Sequence, residues 1–268
     1  MQMETSSNPS QNGVHGSWNS DQTLTQSISD EDRILIMSMR DMIEGEVPDS
    51  QLVDDATLRR FLNARESNVQ KASELYLKYR KWRQTFVPLG YVSETMISNE
   101  LKKNFVSMQG FDKKGRPIAV VHLARHKPCH RTIEDFKRLL VYTLDKMSSS
   151  TQGGQEKFSI IGDFDGWMFK HVDIRGALAA VDTLQDYYPE RLGKLYLVHL
   201  PYIFWAAWNI VCPFIDKRTR QKILMIDNKD IKTTLLNDID ESQLPEIYGG
   251  RLPLVPVQDA VVPNWPPN

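Results

Sequence analysis

The sequence has little cysteine, no excess of either charge and no long uninterrupted apolar run. Two cysteines among 268 residues cannot form a disulfide framework, which is typical of an intracellular protein. The formal net charge of -1 provides no overall field that would attract nucleic acid or an anionic membrane, so any anion site must be local. The most apolar stretch, 195–215, is interrupted by Pro201 and Pro213 and does not supply the roughly 20 apolar residues of a membrane span.

The first residues of the chain lack the features of a secretory signal, which needs a basic start and an apolar run. Residues 1–28 are rich in Ser, Asn, Gln and Thr without apolar periodicity, which predicts a disordered segment. Neither end of the sequence carries the usual signals for a lipid anchor. We therefore expect a cytoplasmic protein that associates with membranes only transiently.

Residues 29–88 have the apolar spacing of a small helical bundle. Ser29 precedes an acidic turn and predicts the start of a first helix, and a second helix is expected to begin near Asp54. Ser67 and Asn68 are both suitable caps for a third helix, whose apolar side chains recur at helical spacing until a proline ends it. The segment therefore predicts three helices packed together.

Between about residues 96 and 250 the pattern changes to strands that alternate with helices. The predicted strands are 105–108, 117–123, 158–161, 195–200 and 223–226, and the predicted helices are 132–147, 172–187 and 202–211. This alternation predicts an α/β domain with a mostly parallel sheet and crossover helices. The Pro-rich tail 251–268 is predicted to be an extended cover or disordered.

Two groups of reactive side chains have the residue types of a catalytic or metal-binding site. Cys212 and Arg218 have the spacing of thiolate phosphatases, but the residues between them lack glycine and do not suit a phosphate-binding loop. Three histidines and a cysteine within 122–130 have metal-ligand chemistry, yet a polar loop explains them more simply. No serine lies in a nucleophile elbow. We predict no enzyme, no metal and no cofactor, with a phosphatase and a zinc site as the alternatives.

Five motifs follow one another along the chain in a fixed order. They are DDATLRRFLNAR (54–65), KWR (81–83), YYPERLGK (187–194), PFID (213–216) and LPEIYGG (244–250). Together they resemble the CRAL-TRIO lipid-binding family, and most closely its Sec-fourteen-like phosphatidylinositol transfer branch. The resemblance spans about residues 30 to 250. It implies an N-terminal helical bundle packed on a CRAL-TRIO α/β lobe, whose sheet floors an apolar lipid pocket beneath a mobile gate helix.

The predicted helix 202–211 suits the role of the gate because it is too apolar for an ordinary surface helix. A plain core helix would show the same pattern, and the resemblance favours the gate. The pocket and gate residues implied are Phe158, Ile160, Phe204, Trp205, Trp208, Val211 and Phe214.

The resemblance also implies a polar set that would bind the lipid headgroup. Its members are Arg65, Glu190, Arg191, Thr219 and Lys222. Arg65 and Lys222 would pair with phosphate, Thr219 would donate a hydrogen bond, and Glu190 would accept hydrogen bonds from inositol hydroxyls or orient a neighbouring cation. Taken singly, each of these residues also fits an ordinary surface charge or salt bridge.

The chain departs from the family pattern at two places. Glu66 stands where the family is often basic, which lowers the local positive potential. The family's phosphatidylcholine binders use hydroxyl side chains at the positions of Phe158 and Ile160, which share one apolar strand face here. We therefore expect that phosphatidylcholine is not a second ligand.

Taken together, the sequence predicts binding of phosphatidylinositol in an internal pocket and its transfer between membranes or presentation to a partner. We expect a monomer whose partners are the phospholipid, the membrane surface and, as a candidate, a lipid kinase, but no nucleic acid. Two other functions stay open. One is a carrier of a tocopherol-like or sterol-like ligand, and the other is a non-catalytic membrane scaffold.

Overall fold

The computed structural model describes residues 29–47, 52–263 and 265–266, so the predicted disordered segment 1–28 lies outside the described residues. The helices of the described part are α1 (Asp30–Ile43), α2 (Asp55–Ala64), α3 (Val69–Phe86), α4 (Ser98–Leu101), α5 (Ile133–Ser149), α6 (Ile174–Tyr187), α7 (Phe204–Val211), α8 (Lys217–Arg220) and α9 (Ile231–Asp238). The strands are β1 (Val106–Phe111), β2 (Pro117–His122), β3 (Phe158–Asp163), β4 (Leu192–Val198) and β5 (Ile223–Met225). Strands and helices alternate after β2, which confirms the predicted α/β class.

Side-chain hydrogen bonds begin the first three helices where the sequence predicts. Ser29, Asp54 and Asn68 each accept the backbone N–H of the residue three positions later. These bonds satisfy donors that a helix start leaves without a partner. Ser67, the other candidate cap, instead has a left-handed φ of 61° in the turn between α2 and α3. Asn68 is therefore the cap of α3.

The helices α1, α2 and α3 pack around a shared apolar core and then onto the rest of the molecule. The buried members of that core are Ile36, Met39, Ile43, Val47, Leu58, Phe61, Leu62, Ala72, Leu75 and Tyr76. Farther along α3, the indole of Trp82 stacks on the ring of Tyr187 in α6, with 3.9 Å between the ring centroids. Arg83 forms an ion pair with Asp145 of α5 at 2.7 Å. The predicted packing of a helical bundle on an α/β lobe is confirmed.

The strands form one sheet in the order β1-β2-β3-β4-β5. β1 and β2 are antiparallel, and the other neighbouring pairs are parallel. β4 begins at Leu192, three residues before its predicted start. The charged Lys194 interrupts the apolar pattern there, but the strand continues because the Lys194 ammonium pairs with the carboxylate of Asp238.

Alternating side chains give the sheet two buried faces. Ile161 of β3 and Tyr196 of β4 lie on one face and pack against α9. Ile160 and Leu195 lie on the opposite face, beneath α5, α6 and α7. The sequence did not predict α9, because its eight residues bury only two side chains and carry no strong apolar stripe. Both faces are nevertheless covered, as expected of a mostly parallel sheet.

The described part of the Pro-rich tail forms an extended cover along β1. Met108 N donates to Val255 O at 2.9 Å, and Val257 N donates to Val106 O at 3.0 Å. Val257 is buried, and its carbonyl accepts a hydrogen bond from the ammonium of Lys146 at 2.7 Å. The tail therefore closes the core beside α5.

Candidate functional site

An apolar cavity of about 320 Å³ lies between the sheet and the helices α5, α6 and α7. Its floor includes Ala119, Ile160, Leu195 and Leu197, which share one face of the sheet. Apolar side chains of the three helices form the opposite wall, and nearly all of the wall is apolar. Such a wall can hold hydrocarbon without leaving buried polar groups unpaired.

The helix α7 covers one side of the cavity and has apolar side chains on both of its faces. Phe204, Trp208 and Val211, spaced about one helical turn apart, line the cavity. Trp205 and Phe214, in contrast, are exposed at the surface. The residues that the resemblance assigns to the gate therefore divide into an inner group that faces the cavity and an outer group that faces solvent.

Of the two predicted pocket residues on β3, the structure places only Ile160 in the cavity wall. Phe158 is fully buried in the core cluster that contains Tyr188 and Leu192. The pairing of β3 with β4 shifts register just after Phe158, at the start of the strand. Phe158 therefore packs in the core beneath one end of the sheet and does not line the cavity.

A second, polar cavity of about 310 Å³ lies at the C-terminal end of α6. Four of the five predicted headgroup residues line it, namely Arg65, Glu190, Thr219 and Lys222. It continues into an outer cleft of about 440 Å³ that is also lined by Glu190 and Lys222. Leu184 belongs to the walls of both the apolar and the polar cavity. The apolar and the polar cavity therefore lie next to each other, with Leu184 in the wall between them.

The polar cavity contains an ion pair between Lys222 and Glu190. The Nζ atom of Lys222 lies 3.2 Å from Oε2 of Glu190, and the Nζ atom of Lys157 lies 3.6 Å from the same oxygen. Arg65, also in the cavity wall, donates through Nη1 to the carbonyl of Ala64 at 3.0 Å. Lys222 therefore shares the carboxylate of Glu190 with Lys157, and Arg65 bonds the carbonyl of Ala64. A ligand phosphate can meet both of these cations.

Thr219 is held by the carboxylate of Asp216, which caps the short helix α8. The Thr219 hydroxyl donates to Oδ2 of Asp216 at 2.6 Å, and its backbone N–H donates to Oδ1 at 2.8 Å. Burial acts to raise the pKa of Asp216, but the hydrogen bonds from Thr219 and from the backbone N–H of Arg218, together with the charge of Lys222, outweigh it and hold the pKa below its usual value. Asp216 is therefore ionised at neutral pH, and the Thr219 oxygen is turned to accept rather than donate.

Arg191, the fifth predicted headgroup residue, does not line the polar cavity. Its Nη1 atom donates to the carbonyl of Glu156 at 2.9 Å. Burial and the nearby cation of Arg60 lower the pKa of Arg191 to about 10. The preceding residue, Glu190, has a left-handed φ of 57°, and this turn sends the two neighbouring side chains in different directions.

The wall of the polar cavity is balanced in charge. It contains four cations (Arg65, Lys217, Arg218 and Lys222) and four carboxylates (Glu66, Asp186, Glu190 and Asp216). Glu66, the departure from the family pattern, lies 3.5 Å from Arg218 in an exposed ion pair. The site therefore offers donors for a phosphate together with acceptors for hydroxyl groups.

Comparison with known proteins assigns the chain to a family. A model of the CRAL/TRIO domain matches residues 101–250, which is more than half of the chain. The chain belongs to the CRAL/TRIO family. The region matched contains α5, α6 and α7 together with the whole sheet. Membership implies lipid binding and transfer, which are generally non-catalytic activities, and it confirms the resemblance inferred from the five motifs.

Individual relatives of this CRAL/TRIO protein agree with the assignment. It is 27% identical over 220 residues to the Sec14 cytosolic factor of Schizosaccharomyces pombe, which covers 75% of this chain and 76% of that protein. It is 28% identical over 226 residues to the Protein real-time of Aedes aegypti, but it spans only 34% of that longer protein. The solved structure of Sfh5 has the same fold, with a TM-score of 0.68, 17% identity, and coverage of 87% of this chain and 92% of that one.

Several residues of the polar cavity were not predicted from the sequence of this CRAL/TRIO protein. Lys217 and Arg218 come from α8, and Asp186 comes from the last turn of α6. The basic run at 217–220 was a usable signal, because it places three cations around Thr219, a predicted headgroup residue. Asp186 gave no signal, since its position depends on how α6 meets α8.

The candidate catalytic and metal-binding residues have other contacts. Cys212 begins a short 3-10 turn, and Arg218 pairs with Glu66, so the two do not form a phosphate loop. His126 lies in the wall of the apolar cavity, whereas His122 lies 3.3 Å from the hydroxyl of Ser107. Among the described residues no three metal-binding side chains are grouped to hold an ion. No helix in the described ranges combines the length and apolar content needed to cross a bilayer.

Proposed function

We propose that this CRAL/TRIO protein binds one molecule of phosphatidylinositol and carries it between membranes, or presents it to an enzyme such as a lipid kinase. The observation that carries the proposal is that the apolar and polar cavities are neighbours and share Leu184 in their walls. A phospholipid has the same two-part chemistry, with hydrocarbon chains joined to a polar headgroup. We further propose that the protein acts as a monomer and uses no cofactor besides the lipid.

The apolar cavity accounts for the energetics of carrying a lipid through water. Exposing about 30 acyl methylenes to water would cost roughly 25 kcal/mol, at about 0.8 kcal/mol for each methylene. The cavity wall of α5, α6, α7 and the sheet replaces water with apolar side chains and removes that cost for the part of the acyl chains that it encloses. Because acyl chains differ little between phospholipids, selectivity must come from the polar cavity.

The charge balance of the polar cavity favours an inositol headgroup. A phosphodiester carries one negative charge, which Arg65 and Lys222 can meet with charge-assisted hydrogen bonds. Inositol hydroxyls need acceptors, and the carboxylates of Glu190 and Asp216 supply them. A choline cation can pair with those carboxylates but cannot hydrogen-bond to them, and Ile160 in the apolar cavity offers its phosphate no hydrogen bond. The site therefore suits phosphatidylinositol better than phosphatidylcholine.

The helix α7 would act as the gate during exchange with a membrane. Its outer side chains, Trp205 and Ile210 among them, are about half-exposed, while its inner side chains line the cavity. On a membrane the outer group would find an apolar phase, so the helix could move outward without exposing hydrocarbon to water. This supports a cytoplasmic protein that contacts membranes transiently.

A different hydrophobic cargo is the second candidate. The specific observation in its favour is that the apolar cavity also contains polar side chains far from the headgroup site, at Arg131 and Asp173. A tocopherol-like or sterol-like molecule has one small polar group and would use that end. A role as a membrane scaffold needs no cavity, and the presence of one favours a carrier.

The test is to load the purified full chain from mixed vesicles and to identify the bound lipid by mass spectrometry. Lys222→Ala should reduce the bound phosphatidylinositol about tenfold or more, because a hydrogen bond to a charged group contributes about 1.5–3 kcal/mol. Lys229→Ala removes an exposed lysine elsewhere and should change nothing. If another lipid predominates equally in wild type and Lys222→Ala, the phosphatidylinositol assignment is wrong although the carrier function stands.

A further inference from the structure

Three loops leave the sheet side by side at one edge. The last residues of β2, β3 and β4 are in register, because His122 pairs with Asp163 and Asp163 pairs with Val198. These three strands are parallel, so the segments that follow them emerge at the same edge. The segment after β4 leads into α7. The loops 123–130 and 164–172 are therefore neighbours of the start of the gate helix.

The loop after β3 exposes two consecutive apolar side chains. Met168 is 51% exposed and Phe169 is 79% exposed. The preceding Trp167 is buried and packs on Phe164, which packs in turn on Phe204 of α7, with 5.3 and 5.0 Å between the ring centroids. The loop is therefore anchored beside α7 by its buried rings, while its next two side chains are presented to solvent.

Hydrogen bonds fix the shape of residues 168–170, which we name the 168–170 turn. The Met168 N–H donates to Nδ1 of His171 at 2.9 Å, and the His171 N–H donates back to the Met168 carbonyl at 2.8 Å. Burial together with the nearby cations Lys170 and Lys127 lowers the pKa of His171, so the ring is neutral and Nδ1 can accept that bond. A turn that is already ordered loses little conformational freedom when it docks on a partner.

Exposed cations lie beside the 168–170 turn, although the whole chain has a net charge of -1. They are Arg125, Lys127 and Lys170. The 3-10 turn that ends at Arg125 packs against the one that begins at Phe169. Among the described exposed side chains of the loops after β2 and β3, these three cations are opposed by a single carboxylate, that of Asp165. The surface around the apolar side chains is therefore locally positive.

Both properties fit the surface of an anionic bilayer. Such a bilayer offers an apolar phase beneath a layer of negative headgroups that attract Lys and Arg. The neighbouring segment before α7 adds Tyr202, which is 95% exposed, and tyrosine favours the boundary between lipid and water. A protein partner would need a groove shaped to the 168–170 turn, whereas a bilayer accepts the turn without a fixed shape.

We propose that the 168–170 turn docks on an anionic bilayer, where Met168 and Phe169 enter the apolar phase and the neighbouring cations pair with the headgroups. The proposal rests on the proposed function in that the protein works at membranes, and it holds whichever lipid is carried. Because the turn is separate from α7, it can hold the protein on the membrane both when the gate is closed and when it opens.

The experiment measures binding to vesicles of two compositions. Purified full chain is mixed with vesicles of phosphatidylcholine alone or with about 30% of the anionic lipid phosphatidylserine, and the bound fraction is measured by sedimentation. Phe169→Ala removes the apolar ring, and Lys170→Gln removes one charge. The matched controls are Ile34→Ala and Lys71→Gln, at exposed positions of the helical bundle.

We expect Phe169→Ala to bind anionic vesicles about tenfold more weakly, because the ring no longer transfers from water into the apolar phase. Lys170→Gln should bind anionic vesicles about fivefold more weakly and bind phosphatidylcholine vesicles as wild type does. Both controls should match wild type. All variants should load phosphatidylinositol as wild type does, because Phe169 and Lys170 line neither the apolar nor the polar cavity.

The proposal is overturned if wild type has no preference for anionic vesicles, or if Phe169→Ala binds them as well as wild type does. The second result would leave the 168–170 turn to a protein partner. An equal loss of binding in the controls would overturn the proposal too. If no chain loads phosphatidylinositol but the expected pattern of vesicle binding is found, the headgroup assignment is wrong and this proposal stands.

Amide hydrogen exchange of the wild type provides a test that needs no variant. On anionic vesicles, exchange should slow in peptides that cover 164–172 and should stay unchanged in peptides from α1. Slowing in α7 with none at 164–172 would overturn the proposal, because the gate helix alone would then contact the membrane.

Discussion

Asp216 shows at the scale of one residue how the start of a helix shapes the polar cavity. Its carboxylate caps α8 through two hydrogen bonds from Thr219. Those bonds hold the pKa of Asp216 below its usual value of 3.8 although burial opposes them. A carboxyl group with a lowered folded pKa stabilises the fold above its unfolded pKa, and the contribution is lost as pH falls through the folded pKa.

We therefore expect Asp216→Ala to lower the free energy of unfolding by about 1 kcal/mol at neutral pH, which is typical for the loss of a helix cap. The difference from wild type should shrink in acid, because the wild-type carboxylate is then protonated too. Urea titrations at neutral and acidic pH measure both effects. Asp216→Asn keeps a capping oxygen but not the charge, so it should lie between wild type and Asp216→Ala at neutral pH and approach wild type in acid. An unchanged difference across the pH range would contradict the role given to the charge.

The residue types of the site could be predicted from the sequence, but the directions of their side chains could not. Arg65, Thr219 and Lys222 meet in one cavity as the motifs imply. Arg191 turns away because the backbone at Glu190 is left-handed. The residue types at these positions do not predict that conformation. The contacts of His126 and Arg131 with Asp173 were equally hidden, since Asp173 lies 47 and 42 residues from them in the chain and meets them only through the fold.

At the scale of elements, α7 has the clearest consequence for transport, because its outer face is apolar and exposed. Ile210 lies on that face, and Asn209 is an exposed polar residue beside it on the same helix. We expect Ile210→Glu to slow transfer of phosphatidylinositol between vesicles roughly tenfold, since an apolar contact with the membrane is replaced by a charge. The amount of lipid bound at equilibrium should not change, because Ile210 does not line the cavity.

Asn209→Glu adds the same charge next to Ile210 and provides the matched control. It should transfer lipid at nearly the wild-type rate if the apolar contact of Ile210 matters. Transfer is followed by the movement of a fluorescent phosphatidylinositol from donor to acceptor vesicles. Equal slowing in the two variants would mean that negative charge alone weakens the encounter, and the gate role of the outer face would have to be withdrawn.

Elements with strong local signals were predicted well, and those defined by tertiary contacts were not. α3, α5 and α6 have caps and apolar stripes, and they lie where the sequence predicts. α9 buries only two side chains, and α8 has four residues, so neither carries a periodic pattern. The predicted strand at 195–200 began too late, because the charged Lys194 interrupts the apolar pattern. In the fold its ammonium pairs with Asp238 of α9, so the strand extends through it.

At the scale of the whole molecule, the polar cavity depends on how the helical bundle sits on the lobe. Arg65 belongs to the bundle, whereas Glu190, Thr219 and Lys222 belong to the lobe, and all four line one cavity. The YYPERLGK motif links docking to binding, since Tyr187 stacks on Trp82 of the bundle three residues before Glu190. Beside it, the Tyr188 hydroxyl and Arg83 both hydrogen-bond the carboxylate of Asp145 at 2.7 Å.

Trp82→Ala should therefore weaken both the fold and the binding of phosphatidylinositol. We expect a loss of about 3 kcal/mol in the free energy of unfolding, the lower end for removing a buried Trp, because Trp82 is only partly buried. Trp82→Phe keeps an aromatic contact with Tyr187 and should lose much less. Urea unfolding and lipid loading are measured on the same samples. Since no lipid atom would touch Trp82, a loss of loading in a protein that is still folded would show that docking positions Arg65, whereas full loading would show that the lobe alone holds the headgroup.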